Sequence, residues 1–163
     1  MTRKKEKKFL IIITTISLII LPFAIIKRSF KDWIIVYLVS VIGNSFADRL
    51  LVSRGYLEYK IRPFPKKISI HLPFDYVHYP LLLLYFNQLT LNSKPLGILL
   101  KVFPFVIPQV LFETYLAKTT DLITWKNGWT WHHSFISLFV KLLLCRAIIA
   151  VIRTVNKGTI STN

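Results

Sequence analysis

Nine polar or charged side chains lie in or beside the long apolar runs of this sequence: Asn44, Asp48, Asp75, His78, Glu113, His132, His133, Lys141 and Arg146. Charge at membrane depth is expensive, so such residues are the first candidates for chemistry. Asp48 closes one apolar run, Asp75 opens the next, Glu113 closes a later one and His132-His133 precede the last. All therefore fall toward one side of a membrane. Asp48, Asp75 and Glu113, with His78 and His133 beside them, could form a proton or small-cation site. Asp75 and His78 are three apart and share a helix face. The competing reading is structural: the acids pair with Arg49, Arg54, Arg62 and Lys118, since buried carboxylates usually have partners. Abundant basic residues favour that version.

Other chemistries have less behind them. His71-x3-Asp75-x2-His78 has metal-ligand residue types, but three ligands on a flexible lead into a helix are a weak signal, and no metal or other cofactor is expected. Asp75 with His78 or His133 could serve as acid and base on a lipid headgroup. Catalytic motifs such as Gly-x-Ser-x-Gly, His-Glu-x-x-His or a phosphate-cradling glycine loop are absent from the sequence, so no catalytic residue is assigned. The lone Cys145 cannot form an intramolecular disulfide.

The elements that must position these groups are read from hydropathy. Of 163 residues, 53% are hydrophobic, and they come in blocks long enough to cross a bilayer. The expected fold is an all-α integral membrane bundle with spans at about 9–26, 33–51, 73–91, 96–116 and 134–152. A basic tail over 1–8 precedes this single domain and a polar, disordered tail over 154–163 follows it. Arg146 and Arg153 share a face, so the last segment could instead be an interfacial amphipathic helix beside four spans. The first run is too long for a signal-peptide core and has no small-x-small cleavage site, so it is read as retained.

The net charge of +15 would suggest nucleic acid on a soluble protein. Here the basic residues flank the apolar blocks, which points to anionic headgroups and excludes nucleic acid. Lys and Arg concentrate in the N-terminal segment and the two long loops, placing those and the N-terminus in the cytoplasm. The first long loop, 49–72, interleaves Arg and Lys with Tyr56, Tyr59 and Phe64, and Pro63 and Pro65 argue against a regular helix there. Trp33, Trp125, Trp129 and Trp131 read as interfacial anchors.

In the second span Ser40, Asn44 and Asp48 recur every four residues, beside a small-residue strip of Ser40, Gly43 and Ala47. That face is expected to meet protein, from this chain, a second copy or another membrane protein. Pro80 lies inside the third span, cannot donate to the carbonyl of Tyr76 and predicts a kink whose freed carbonyl needs another donor. Asn87 and Gln88 mark the far interface or an interhelical bond.

Lys31-Asp32-Trp33, Arg54-Gly55-Tyr56, Arg62-Pro63, Phe74-Asp75-Tyr76, Pro80, Asn87-Gln88, Glu113 and Gly128-Trp129 with Trp131-His132-His133-Ser134 together resemble a CBO-type family of small multi-pass membrane proteins from endospore-forming Gram-positive bacteria. The resemblance runs from about Leu21 to Arg153. It implies a bacterial cell membrane and no particular activity. The function expected first is a non-enzymatic structural or accessory membrane protein. An ion- or proton-coupled transporter or channel-like protein comes second, and a lipid-modifying enzyme third.

Overall fold

The computed structural model describes residues 2–26, 30–64 and 67–161, with side chains as far as residue 155. Pro65, Lys66 and most of the turn after the first span lie outside the described residues. The described chain is the expected all-α bundle. Its elements are α1 (Arg3–Ile25), α2 (Phe30–Ser53), β1 (Leu57–Glu58), a π turn (Phe74–His78) leading into α3 (Tyr79–Thr90), α4 (Pro95–Thr119), β2 (Thr124–Trp125) and α5 (Trp131–Ser161). Among the described residues α1, α2, α4 and α5 are long and apolar enough to cross a membrane. Many large apolar side chains on them point outward, including Ile11, Phe23, Ile42, Phe46, Leu111 and Val151. Such an outer surface suits lipid rather than water.

The central element is α3. Leu83, Leu84 and Phe86 are almost completely enclosed and meet Val36 of α2, Val102 and Val106 of α4 and Leu142 and Ile149 of α5 in one core. It is 12 residues long, roughly 18 Å at 1.5 Å per residue, and the π turn extends it toward the loops.

That turn is the physical form of the expected kink. Pro80 has no N–H for the carbonyl of Tyr76, and the Tyr79 N–H bonds instead to the carbonyl of Phe74, five residues back. The freed Tyr76 carbonyl accepts from the Tyr37 hydroxyl of α2 at 3.1 Å.

Both long loops lie at one end of the bundle, here called the loop end. They are stitched together by β1 and β2, which pair antiparallel with Leu57 opposite Trp125 and Glu58 opposite Thr124. The ribbon can start so soon after α2 because Gly55 ends the helix with φ +75°. The Gly55 N–H meets the Val52 carbonyl and the Tyr56 N–H the Leu51 carbonyl, the paired bonds of a Schellman motif. The ion pairs Lys60–Asp121 and Lys126–Glu58 bridge the loops on the outside.

Three expectations are corrected. The N-terminal basic segment is not a separate tail: α1 begins at Arg3, and Glu6 is buried where it accepts from the Asp121 N–H at 3.3 Å. The C-terminal segment is not irregular: α5 continues helically through Ser161. Nor does α5 lie apart from the bundle. Leu138, Leu142, Cys145 and Ile149 are buried along it, Arg146 reaches the end of α3, and Arg153 meets Asp32 of α2 at 3.6 Å.

A candidate carboxylate chamber

At the loop end the three acids singled out from the sequence converge. Asp48, Asp75 and Glu113 line one small cavity of about 40 Å³, together with Tyr59, Tyr79, Trp129, Ser134, Ser137 and Lys141. Room of that size suits an ammonium group or one or two waters.

Each acid is placed by a different element. Asp48 follows Ser40 and Asn44 down the inward face of α2 and is buried. It accepts from the Tyr59 hydroxyl at 2.5 Å and from the His71 N–H at 3.4 Å. Tyr59 comes directly after β1, so the ribbon positions that donor. Burial and the neighbouring Asp48 and Asp75 hold the Tyr59 hydroxyl well above its usual range, keeping it a neutral donor.

Asp75 is held in the π turn, where its N–H bonds to the His71 carbonyl at 3.1 Å. Its carboxyl lies within hydrogen-bonding reach of Asp48 and feels the positive charge of Lys141. Its Oδ2 is buried without a hydrogen-bond partner.

Glu113, on α4, accepts from the Ser134 hydroxyl at 2.6 Å, the Tyr79 hydroxyl at 3.1 Å and the Trp125 indole N–H at 3.3 Å. Trp129 in turn donates to Ser134 at 3.0 Å. Lys141 reaches in from α5, its ammonium 5.5 Å from the centre of the Tyr79 ring.

The electrostatics differ from the favoured expectation. Salt bridges from Arg49, Arg54, Arg62 and Lys118 to these acids are not what holds them. Among the described residues the ion pairs are Lys60–Asp121, Lys126–Glu58 and Arg153–Asp32, and none uses a chamber carboxylate. Arg62 donates instead to the carbonyls of Tyr59 and Ile68 and organises its loop. Asp48 and Glu113 are solvated by neutral hydroxyl, indole and amide donors. Two adjacent carboxylates in such a site need positive charge between them: a proton, a small cation or the Lys141 ammonium. No three acid, histidine or cysteine side chains among the described residues converge tightly enough to hold a metal ion.

The remaining candidates scatter. His78 turns away from the chamber and pairs with Gln109 of α4 at 3.0 Å. His133 is exposed, with its Nδ1 3.2 Å from the Thr130 N–H at the start of α5, while His132 stacks on Trp131. His71, left out of the acid set, is fully enclosed between the rings of Tyr59 and Phe74. Burial pushes its imidazole down to about 4, only partly offset by the backbone around it and Ile61.

Of the tryptophans, Trp131 is exposed as an anchor would be. Trp33 is instead 4% exposed and belongs to the apolar core with Ala24 and Val36. Trp125 and Trp129 turn their N–H groups inward to Glu113 and Ser134. On α2, Ser40 bonds the Val36 carbonyl and lies 3.8 Å from Cys145, but Gly43 is open, with nothing near its Cα on the outer side.

Tyr59, Tyr79, Ser134 and Ser137 were missed as chamber residues, and Lys141 was singled out at membrane depth without being joined to the acids. Tyr79 follows Asp75 by four, and Ser134, Ser137 and Lys141 follow helical spacing, so a face count would have found four of the five. Compared with protein-family models, with characterised proteins and with solved structures, the chain matches none.

Proposed function

We propose that this chain is a multi-pass membrane protein that holds a proton or small cation in the loop-end chamber, as part of an ion- or proton-coupled role. The observation carrying this is the balance of charge: three carboxylates line one small cavity, Lys141 is the one ammonium lining it, and the ion pairs among the described residues lie elsewhere. A scaffold would neutralise its buried acids with the cations at hand; here 22 Lys and Arg are available and the chamber lining includes one. The same reading places the protein in a bacterial cell membrane, with N-terminus and chamber on the cytoplasmic side and the basic loops against anionic headgroups.

The test is charge-selective labelling. In a Cys145→Ser background, Ser137→Cys puts a thiol on the chamber wall. Membrane-impermeant thiosulfonates of equal size and opposite charge are then compared in vesicles. The reading expects the cationic reagent to react on the order of tenfold faster, as a site of net negative charge focuses cations. Equal and negligible rates in a folded protein would mean a sealed, packed network and return the accessory role to first place.

A further inference from the structure

We infer that the cation this chamber takes is the primary ammonium of a membrane phospholipid, whose phosphate meets Lys141 and whose acyl chain lies in the groove between α2 and α5. The inference rests on the chamber reading and names its ligand.

The groove is a separate feature. It is lined by Val39, Ser40, Gly43, Asn44, Ala47, Leu83, Leu144 and Ile148, with Lys141 and Cys145, and has a volume of about 250 Å³. Gly43 opens it outward, since a Cβ there would meet nothing within 4 Å. Lys141 lines both groove and chamber and is their common wall. From Val39 to Ala47 the groove follows eight residues of α2, roughly 12 Å at 1.5 Å per residue, away from the loop end. A lipid lying there has its headgroup at the loop end and its tail in the apolar layer, the orientation it holds in a bilayer.

The unmet hydrogen-bonding needs match that ligand. In the chamber Asp75 Oδ2 is buried and lacks a donor; in the groove Asn44 Nδ2 is buried, 1% exposed as a residue, and lacks an acceptor. A ligand that donates at the chamber and accepts in the groove would meet both. Asn44 and Asp48 are one helical turn apart, about 5.4 Å, a span a phosphoethanolamine headgroup can cover. Its ammonium supplies donors to the carboxylates, and its phosphate or ester carbonyl accepts from Lys141 and Asn44. A choline headgroup has no N–H to give and is too bulky for a cavity of about 40 Å³.

The experiment uses the full chain in nanodiscs of equimolar phosphatidylethanolamine and phosphatidylcholine, released into detergent and weighed by native mass spectrometry. One ethanolamine lipid per chain is expected to stay bound in preference to choline lipid. Gly43→Leu fills the groove at a position with open space; it should fold normally and retain roughly tenfold less of that lipid. Equal retention of the two lipids, undiminished retention in Gly43→Leu, or a second copy of the chain in place of lipid overturns the inference. The charge-selective labelling at Ser137→Cys separates this failure from the other: selectivity without lipid retention removes only the lipid, and loss of selectivity removes the chamber reading itself.

Discussion

The two ends of the bundle handle buried polarity in opposite ways. At the far end, where α3 gives way to α4, Arg146 donates to the carbonyls of Thr90 and Leu91 at 3.3 and 3.1 Å, placing its charge on the C-terminal end of α3. Gln88 bonds the Ala24 carbonyl of α1 at 2.7 Å, and Asn87 and Thr90 bond carbonyls of their own helix. Positive charge meets the carbonyl end of α3 there, as the helix dipole favours, although Arg146 Nε and Asn87 Oδ1 are themselves buried without partners. At the loop end three acids share a cavity with one ammonium, and neutral donors hold two of them, Asp48 and Glu113. The contrast teaches that a charge inside an apolar run is not in itself a sign of function. Arg146 is a helix cap, whereas Asp75 shares a cavity with two other acids and keeps a buried oxygen without a partner.

The comparison can be broken or sharpened by substitution. The largest effect belongs to the loop end in acid. His71 is neutral when folded, so between pH 6.5 and about 4 the unfolded chain carries a proton that the folded chain does not. Stability from this group is complete above pH 6.5 and is lost as pH falls toward 4, by about 3 kcal/mol. Burial sets this balance, opposed by the backbone of His71 and Ile61 and reinforced by the positive charge of Arg62; Asp48 holds the His71 backbone N–H and Tyr59 lies against the ring. Denaturant unfolding across that range should show the slope, and His71→Phe, which keeps a ring between Tyr59 and Phe74, should lose it. An unchanged slope would assign acid sensitivity to other groups.

At the far end, Arg146→Met removes the two bonds to the end of α3 while keeping an apolar stem. A loss of about 2 kcal/mol is expected, the usual range for hydrogen bonds to a charged group, with no change in cationic labelling at the chamber. A change in that labelling would show that the two ends are not independent. Smaller still is Tyr37→Phe, which strips the donor from the carbonyl freed by Pro80. It should cost about 1 kcal/mol in the same unfolding experiment, and no loss would mean that the Tyr76 carbonyl finds another donor.

Much of this was legible in advance, for reasons that separate local from non-local physics. Apolar blocks and Pro80 act through neighbours in sequence, so the helices and the distortion before α3 follow from them directly. Convergence of Asp48, Asp75 and Glu113 followed from their places at the ends of successive runs. What those acids touch was not legible. Tyr59 and Trp125 reach them only because Leu57 pairs with Trp125, 68 positions further along the chain, and two-residue strands leave no alternating pattern to read. Trp33 was misread because tryptophan at the edge of a span serves equally as anchor or core. His133 was misread because lying at the same membrane level as the acids says nothing of which way a helix start faces. Gly43 was read as a contact with protein, since a small residue marks close approach without saying what approaches.

The central claim is that Asp75 is held ready for a proton or cation rather than bracing the fold, and the thermal stability of Asp75→Asn tests it most directly. An amide there can donate to Asp48 and removes one of two adjacent charges. The account predicts a melting temperature unchanged or raised by up to about 3 °C, equivalent to about 1 kcal/mol for a chain of this size. A clear fall, of the size that follows breaking a buried ion pair, about 3 kcal/mol or more, would contradict it and make the chamber a structural network.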